Sequence, residues 1–260
     1  MNILEKIVAQ KHLDVAAAKK SISENELKTF PAYGRTCRNL REFVLDPTRN
    51  GIIAEFKRAS PSKGIINDRS TPAEIAAAYQ NNRVSAISVL TDTPFFQGSL
   101  ADLTAVCEIS AVPVLRKEFI VDRYQITEAK AYGADIVLLI ASCLSPREIE
   151  QLSAYAKSLG LNVLLEVHNA EELKNNLFES IDAIGVNNRN LGDFTVSIQH
   201  SLDLVNQIPD RYIKVSESGI SDTETIKTLK EAGFQAFLIG ENFMKSENPT
   251  QAISDFVAGL

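Results

Sequence analysis

Several ionisable residues in this sequence sit at the downstream ends of short apolar runs, where their types suit proton transfer. Glu55 and Lys57 lie two apart at the end of Ile52–Phe56, so an extended backbone points both side chains to one face. Arg116-Lys117-Glu118-Phe119, Leu165-Glu166-Val167-His168, Gly185-Val186-Asn187-Asn188-Arg189 and Ser216-Glu217-Ser218-Gly219 close four further runs. Lys117 and Glu166, facing each other across one opening, are a general acid and a general base. Charges turned inward are costly unless paired or used; the structural alternative for Glu55 and Lys57 is an internal ion pair that only fills space. Gly219 and Gly240 follow the last two runs. There glycine lets backbone N–H groups approach a phosphate, and plain turn glycines are the competing reading.

These residues need a scaffold that brings run ends together. Eight apolar runs recur roughly 20–35 residues apart: Ile52–Phe56, Ala86–Leu90, Val112–Leu115, Ile136–Ile140, Val163–Val167, Ala183–Val186, Ile213–Val215 and Ala236–Ile239. Most do not alternate with polar residues, as expected of strands buried on both faces of a parallel sheet. The intervals carry helix signals. Thr71-Pro72-Ala73-Glu74, Ser145-Pro146-Arg147-Glu148 and Ser221-Asp222-Thr223-Glu224 have the order of capping boxes, and Asn169 precedes Glu172 in the same relation. Gly133, Gly160 and Gly233 follow the helical stretches as stops. Eight units of this kind make a closed (β/α)₈ TIM barrel, with an open doubly wound sheet second. Residues 51–260 supply the eight units. Residues 1–50 form an N-terminal helical extension, Ile3–Lys20, Glu24–Phe30 and a short piece near Asn39–Val44, packed on a single barrel domain. The loop Ala59–Gly64, rich in Ser, Pro and Gly, reads as a mobile loop at the barrel mouth.

The formal net charge of −6 argues against a nucleic-acid binder, which needs a basic surface. It leaves room for a small anion held by a few cations in a cleft. Cys37, Cys107 and Cys143 are far apart, form no CxxC pair and read as small buried thiols of a reducing cytosol. The stretch MNILEKIVAQKHLD is neither a signal peptide nor a membrane anchor, so the expectation is a cytoplasmic protein with no membrane partner. His12, His168 and His200 lack metal-ligand spacing, and His168 reads as a satisfied loop histidine. No P-loop, dinucleotide or Ser-His-Asp pattern uses these run ends.

The stretch Ile53–Gly64, IAEFKRASPSKG, resembles the signature of indole-3-glycerol-phosphate synthases. The resemblance continues through SVLTD (Ser88–Asp92), FFQGS (Phe95–Ser99), VPVLRKEFIVD (Val112–Asp122), LLEVH (Leu164–His168), IGVNNRNL (Ile184–Leu191), SESGI (Ser216–Ile220) and LIGENFM (Leu238–Met244). In order, these span nearly the whole barrel, and an N-terminal extension of this length is also similar to the family. The departures are Gln97, where asparagine is often found, and Lys63, which enlarges the loop after the first strand.

The resemblance implies a substrate, 1-(2-carboxyphenylamino)-1-deoxyribulose 5-phosphate, that is closed to an indole with loss of CO₂ and water. It implies no cofactor and no metal. By position, Lys117 is the implied general acid at the carbonyl oxygen and Glu166 the base in dehydration. Lys57 binds phosphate or carboxylate with a share in dehydration, and Glu55 orients the lysines. Asn187 and Glu217 are the implied polar groups at the substrate's hydroxyls and carboxylate. Ser60, Ser218, Gly219 and Gly240 are the implied phosphate and substrate contacts. Phe96, Phe119 and Leu138 form the implied wall against the aryl ring. Lys57, Lys117 and Arg189 have the sign that a doubly anionic substrate requires. The expected partner is this small molecule alone, bound by a monomer. The rivals are another phosphate-binding barrel enzyme, such as phosphoribosylanthranilate isomerase or a tryptophan synthase α-type lyase, a Schiff-base aldolase through Lys117, and a barrel that binds without reacting.

Overall fold

The computed structural model describes residues 3–190 and 195–260. Eight strands form a closed parallel barrel: β1 (Ile52–Phe56), β2 (Ala86–Leu90), β3 (Val114–Lys117), β4 (Ile136–Ile140), β5 (Asn162–Val167), β6 (Ala183–Asn187), β7 (Ile213–Glu217) and β8 (Ala236–Ile239). Each strand pairs with the next, and β8 closes on β1 with Ile52 opposite Phe237. This is a TIM barrel with alternating helices, as the spacing of the apolar runs led one to expect. Those helices are α4 (Pro72–Asn81), α6 (Leu100–Ile109), α7 (Arg123–Ala131), α8 (Pro146–Ser158), α9 (Ala170–Asn175), α10 (Gln199–Leu204), α11 (Thr223–Ala232) and α13 (Pro249–Ala258). Two four-residue helices, α5 (Thr93–Phe96) and α12 (Glu241–Met244), follow β2 and β8.

Strand parity explains the layers. Ile52, Ala54 and Phe56 pack outward under the helices. Ile53, Leu115, Leu138, Leu164, Val215 and Leu238 fill the barrel interior. Advancing two residues along the same inward parity reaches Glu55 on β1, Lys117 on β3, Glu166 on β5 and Glu217 on β7. The barrel is therefore apolar at its base and charged at the mouth, because side chains on one face recur every second residue.

The extension works at both ends of the barrel. Leu40 and Val44 of α3 (Leu40–Leu45) pack into the interior cluster from below, and the Leu40 N–H donates to Asn162 Oδ1 at 3.1 Å. Helix α1 (Ile3–Ser21) lies across the mouth, and α2 (Glu24–Leu27) packs on α7. Among the described residues no helix is long and apolar enough to cross a membrane.

Three local readings need correction, and the loop after β1 gains detail. The third strand begins at Val114 rather than Val112, since Ser110 Oγ turns the chain by bonding both Val112 N and Val112 O and Pro113 has no N–H to donate. The cap of α11 is Asp222, whose carboxylate accepts from Thr225 N at 2.8 Å. Ser221 only donates to it, and a charged acceptor is the better partner for a helix N-terminus. The loop after β1 is a small antiparallel hairpin, Ala59–Ser60 against Gly64–Ile65, turned at Gly64 with φ +65°. The three thiols are unpaired but half-buried rather than fully enclosed. The caps at Thr71, Ser145 and Asn169 are formed, and Gly133, Gly160 and Gly233 take positive φ as helix stops.

Candidate active site

A cleft opens at the C-terminal ends of the strands. Glu55, Lys57, Ser60, Phe96, Lys117, Phe119, Leu138, Glu166, Asn187, Arg189, Glu217 and Ser218 all line it. Gly219 and Gly240 are not on its wall but adjoin two residues that are, Ser218 and Glu241. Leu191, at the end of the IGVNNRNL motif, and Met1 and Asn2 lie outside the described residues.

Lys117 is the centre of the arrangement. Its Nζ donates to Glu166 Oε2 at 2.9 Å and to Glu217 Oε2 at 2.7 Å. Glu166 Oε1 accepts from Asn187 Nδ2 at 2.9 Å, and Asn187 Oδ1 accepts from Arg189 N at 3.0 Å. On the neighbouring strands Lys57 Nζ stands 3.1 Å from Glu55 Oε1, and Ser88 Oγ donates to Glu55 Oε2 at 3.4 Å. Two lysines are thus each fixed by inward carboxylates. The pair Glu55–Lys57 is real, as the spacing suggested, but it belongs to a larger network.

Burial and charge set the protonation states. Burial lowers the proton affinity of Lys117, but Glu166, Glu217 and Glu55 outweigh it and hold the group firmly as an ammonium. Burial raises Glu166, yet Lys117, His168 and the Asn187 bond pull it below the ordinary carboxylate range. Burial also raises Glu217, and the repulsion of Glu166 and Glu55 leaves it above that range despite Lys117. Two carboxylates on one lysine are therefore driven apart, one toward a base and one toward a proton holder.

Beside the charges lies an apolar wall. The rings of Phe96 and Phe119 stand 6.1 Å apart at 38°, with Leu138 from β4 and Ile3, Leu4 and Ile7 from α1. A flat ring against such a wall gains area burial and offset ring contacts.

At the far rim Ser218 and Gly219 both have positive φ, 70° and 76°. A non-glycine residue there is uncommon and, next to a site, marks backbone held for a purpose. Glu241 at the start of α12 was not anticipated. Its carboxylate contacts Lys63 at 2.5 Å and Arg189 at 3.7 Å, occupying cations an incoming anion would otherwise meet. Its signal was an acidic residue directly after Gly240. The α1 side chains were also missed, because nothing in a helix's own sequence says which strand ends it covers. His168 is not the satisfied loop residue expected: neither ring nitrogen has a hydrogen-bond partner. Among the described residues no group of three His, Cys, Asp or Glu could hold a metal ion.

Gly185 faces this network from β6. A Cβ there would stand 2.0 Å from Glu217 Oε1, so the Glu217 carboxylate would have to shift against Lys117. Gly185→Ala is expected to keep the barrel, checked by circular dichroism, and to lose about 10²-fold in kcat, the scale of a small displacement in a site.

The family model for indole-3-glycerol phosphate synthase matches residues 4–256. The chain belongs to the indole-3-glycerol phosphate synthase family. The synthase of Bacteroides thetaiotaomicron is 44% identical over 259 residues, covering 100% of this chain and 99% of that protein. The synthase of Bordetella pertussis is 43% identical over 260 residues, with 99% of each covered. As a member of the indole-3-glycerol phosphate synthase family, the chain is a carboxy-lyase of tryptophan biosynthesis. Solved structures agree on the barrel alone. A chain of the Pyrococcus furiosus tryptophan synthase complex superposes with TM-score 0.61 at 14% identity, covering 82% of this chain and 98% of that one. The 3-hexulose-6-phosphate synthase of Salmonella typhimurium gives 0.63 at 14% identity, covering 81% and 98%.

Proposed function

We propose that this cleft closes the indole ring of 1-(2-carboxyphenylamino)-1-deoxyribulose 5-phosphate with Lys117 as the general acid. The observation that carries the reading is an ammonium held between Glu166 and Glu217 directly beside an apolar wall. The phosphate goes to the rim formed by Ser60, Ser218, Gly219 and Gly240, with Arg189 and Lys57 supplying positive charge; Glu241 must yield its cations as the anion arrives. The aryl ring lies against Phe96, Phe119 and Leu138.

The aryl carbon bearing the carboxylate attacks the ketose carbonyl. A C–C bond forms, the carbonyl π pair moves to oxygen, and Lys117 protonates that oxygen. The resulting iminium draws the C–CO₂ bonding pair into the ring, and CO₂ departs. Glu166 then takes the proton on the carbon next to nitrogen while the new hydroxyl leaves as water, with Lys57 as the acid. Glu55 orients Lys57, and Asn187 holds Glu166. One proton per turnover comes from solvent, matching the carboxylate lost as CO₂. Holding the two carbons together replaces a search in solution and supplies several kcal/mol. An imine-forming lysine needs a free amine, and the carboxylates drive Lys117 the other way. We place this chemistry in a cytoplasmic monomer; three unpaired thiols fit a reducing compartment.

The test is direct, because the chain has no tryptophan and six tyrosines. Purified protein mixed with the substrate should develop indole emission at a rate proportional to enzyme. Folded protein that leaves the substrate unconverted would sink the proposal. Borohydride added during turnover should trap no adduct at Lys117.

A further inference from the structure

His168 is a residue the reaction above does not use, although it stands against its base. It follows the last residue of β5, and its backbone N–H donates to Glu172 Oε2 at 2.8 Å. The ring lies between two carboxylates. Nε2 is 3.4 Å from Glu166 Oε1, and Nδ1 is 3.5 Å from Glu172 Oε2. Both nitrogens are buried without a hydrogen-bond partner, which for an imidazole costs free energy unless charge compensates.

We propose that His168 is a positioning residue: as an imidazolium it keeps Glu166 ionised during the interval in which Lys117 has given up its proton. The proposal rests on the reading of Glu166 as the dehydration base. While Lys117 is an ammonium, Glu166 has a cation 2.9 Å away. Ring closure breaks an N–H bond of Lys117 and forms an O–H bond on the substrate, so that cation disappears. Glu166 is 4% exposed, and a buried carboxylate without a counter-charge takes up a proton. A protonated Glu166 cannot accept the ring proton. His168 is the second cation at the same carboxylate, on the oxygen that Lys117 does not touch. It keeps its own proton throughout. The proton that Glu166 later takes from carbon can return to neutral Lys117, which restores both groups.

The surroundings favour the charged ring. Burial pulls the proton affinity of His168 down, but Glu172 and Glu166 outweigh it, with Glu217 adding, and leave it above the ordinary histidine value. The groups facing it are Glu166 on its own strand, Glu172 on α9 and Glu217 on β7. Cys143, after β4, shares Glu166 and Glu172 as electrostatic neighbours, and burial pushes its thiol up to about 12, so it stays neutral. Lys117 faces the far side of Glu166.

The chain has three histidines, so each imidazole can be followed by NMR, and single-turnover kinetics separate ring closure from dehydration. In the wild type, His168 should titrate above the ordinary value, and dehydration should slow as pH rises through that same point. His168→Asn should lower the dehydration rate, about tenfold for each unit by which the uncompensated Glu166 then titrates above the assay pH, with KM within about twofold and without the wild-type slowing as pH rises. Glu172→Gln touches neither substrate nor Glu166. It should lower the His168 titration point and move the kinetic limb with it, a shift that a merely structural role does not produce, and it carries the test should His168→Asn fail to fold. The proposal is overturned if the limb stays in place while the imidazole shifts, or if His168→Asn dehydrates at the wild-type rate. Glu166→Gln separates the two readings. If it dehydrates normally, Glu166 is not the base and both fall; if it is slow while His168→Asn is not, only the role of His168 falls.

Discussion

Lys117→Ala is expected to reduce kcat by about 10³-fold or more, the upper range for loss of a positioned general acid. Indole emission under saturating substrate measures it. The reason is geometric as well as electrostatic. The ammonium is fixed by two bonds, at 2.9 Å to Glu166 and 2.7 Å to Glu217, whereas His168 stands 3.4 Å from Glu166 on the oxygen that Lys117 does not touch. Lys57 is tied to Glu55 at 3.1 Å and cannot take its place without leaving its own partner. Removal of Lys117 also leaves two buried carboxylates facing each other. Glu217 already holds its proton more tightly than usual, so the variant relieves the repulsion by protonating it. The variant should therefore be more stable at pH 5 than at pH 8 relative to wild type. Lys117→Arg should restore that charge balance but not the rate, since the guanidinium is a different shape and a far weaker acid. Substantial turnover in Lys117→Ala would remove this residue from the acid role.

Lys11→Met is expected to destabilise the fold by about 3–5 kcal/mol, the range for breaking a buried ion pair on one side. Lys11 is on α1 and only 5% exposed. Its Nζ meets Asp92 at 2.8 Å, Glu118 at 3.0 Å and Asp14 at 3.3 Å. Glu118 in turn accepts from Thr91, which accepts from Arg116. Methionine keeps the stem and removes the charge, leaving Asp92 and Glu118 buried without it. At about 2–4 °C per kcal/mol for a chain of this order, the thermal midpoint should fall by about 6–20 °C. Burial lowers the proton affinity of Lys11, but Glu118 and Asp92 outweigh it, and it ends above its ordinary value of 10.5. A raised folded value means the stabilisation is complete below 10.5 and fades as pH rises through the folded value. The difference between wild type and variant should thus be full at pH 8 and shrink in strong alkali. Activity should suffer too. Asp92 caps α5 by accepting from Phe95 N at 2.8 Å, and α5 carries Phe96 of the aryl wall. KM should rise, because α1 and Phe96 both lose their anchor. A midpoint unchanged at pH 8 would mean that the cluster contributes no net stability.

What could be read from the sequence follows from what repeats. The inward parity of Glu55 and Lys57 needs only the two-residue period of a strand, and the closed barrel needs only eight similar runs. Glu166 and Glu217 were legible because a charge at a strand end has few structural reasons to be there. The misses are pairings between distant parts of the chain. Lys11 reads as an ordinary helix lysine until α1 is laid over Asp92 and Glu118. Glu118 reads as one more strand-end charge, yet its carboxylate is taken up by Lys11 of α1 and by Thr91. His168 reads as a loop residue until β5 and α9 bring two carboxylates around its ring. Ser221 and Asp222 are both good caps, and only backbone geometry chooses between them.

The pairing of Ile52 with Phe237 makes the first strand depend on the last. During synthesis β1 leaves the ribosome with one edge bare and waits for nearly the whole remaining chain before β8 covers it. An unpaired edge recruits other strands, and long-range closures of this kind are slow. The risk of misassembly is therefore greatest before release, and it should grow when translation is fast or the nascent chains are crowded. A truncation that keeps Lys117, Glu166 and Glu217 but removes β8 is expected to yield aggregate rather than a weakened enzyme.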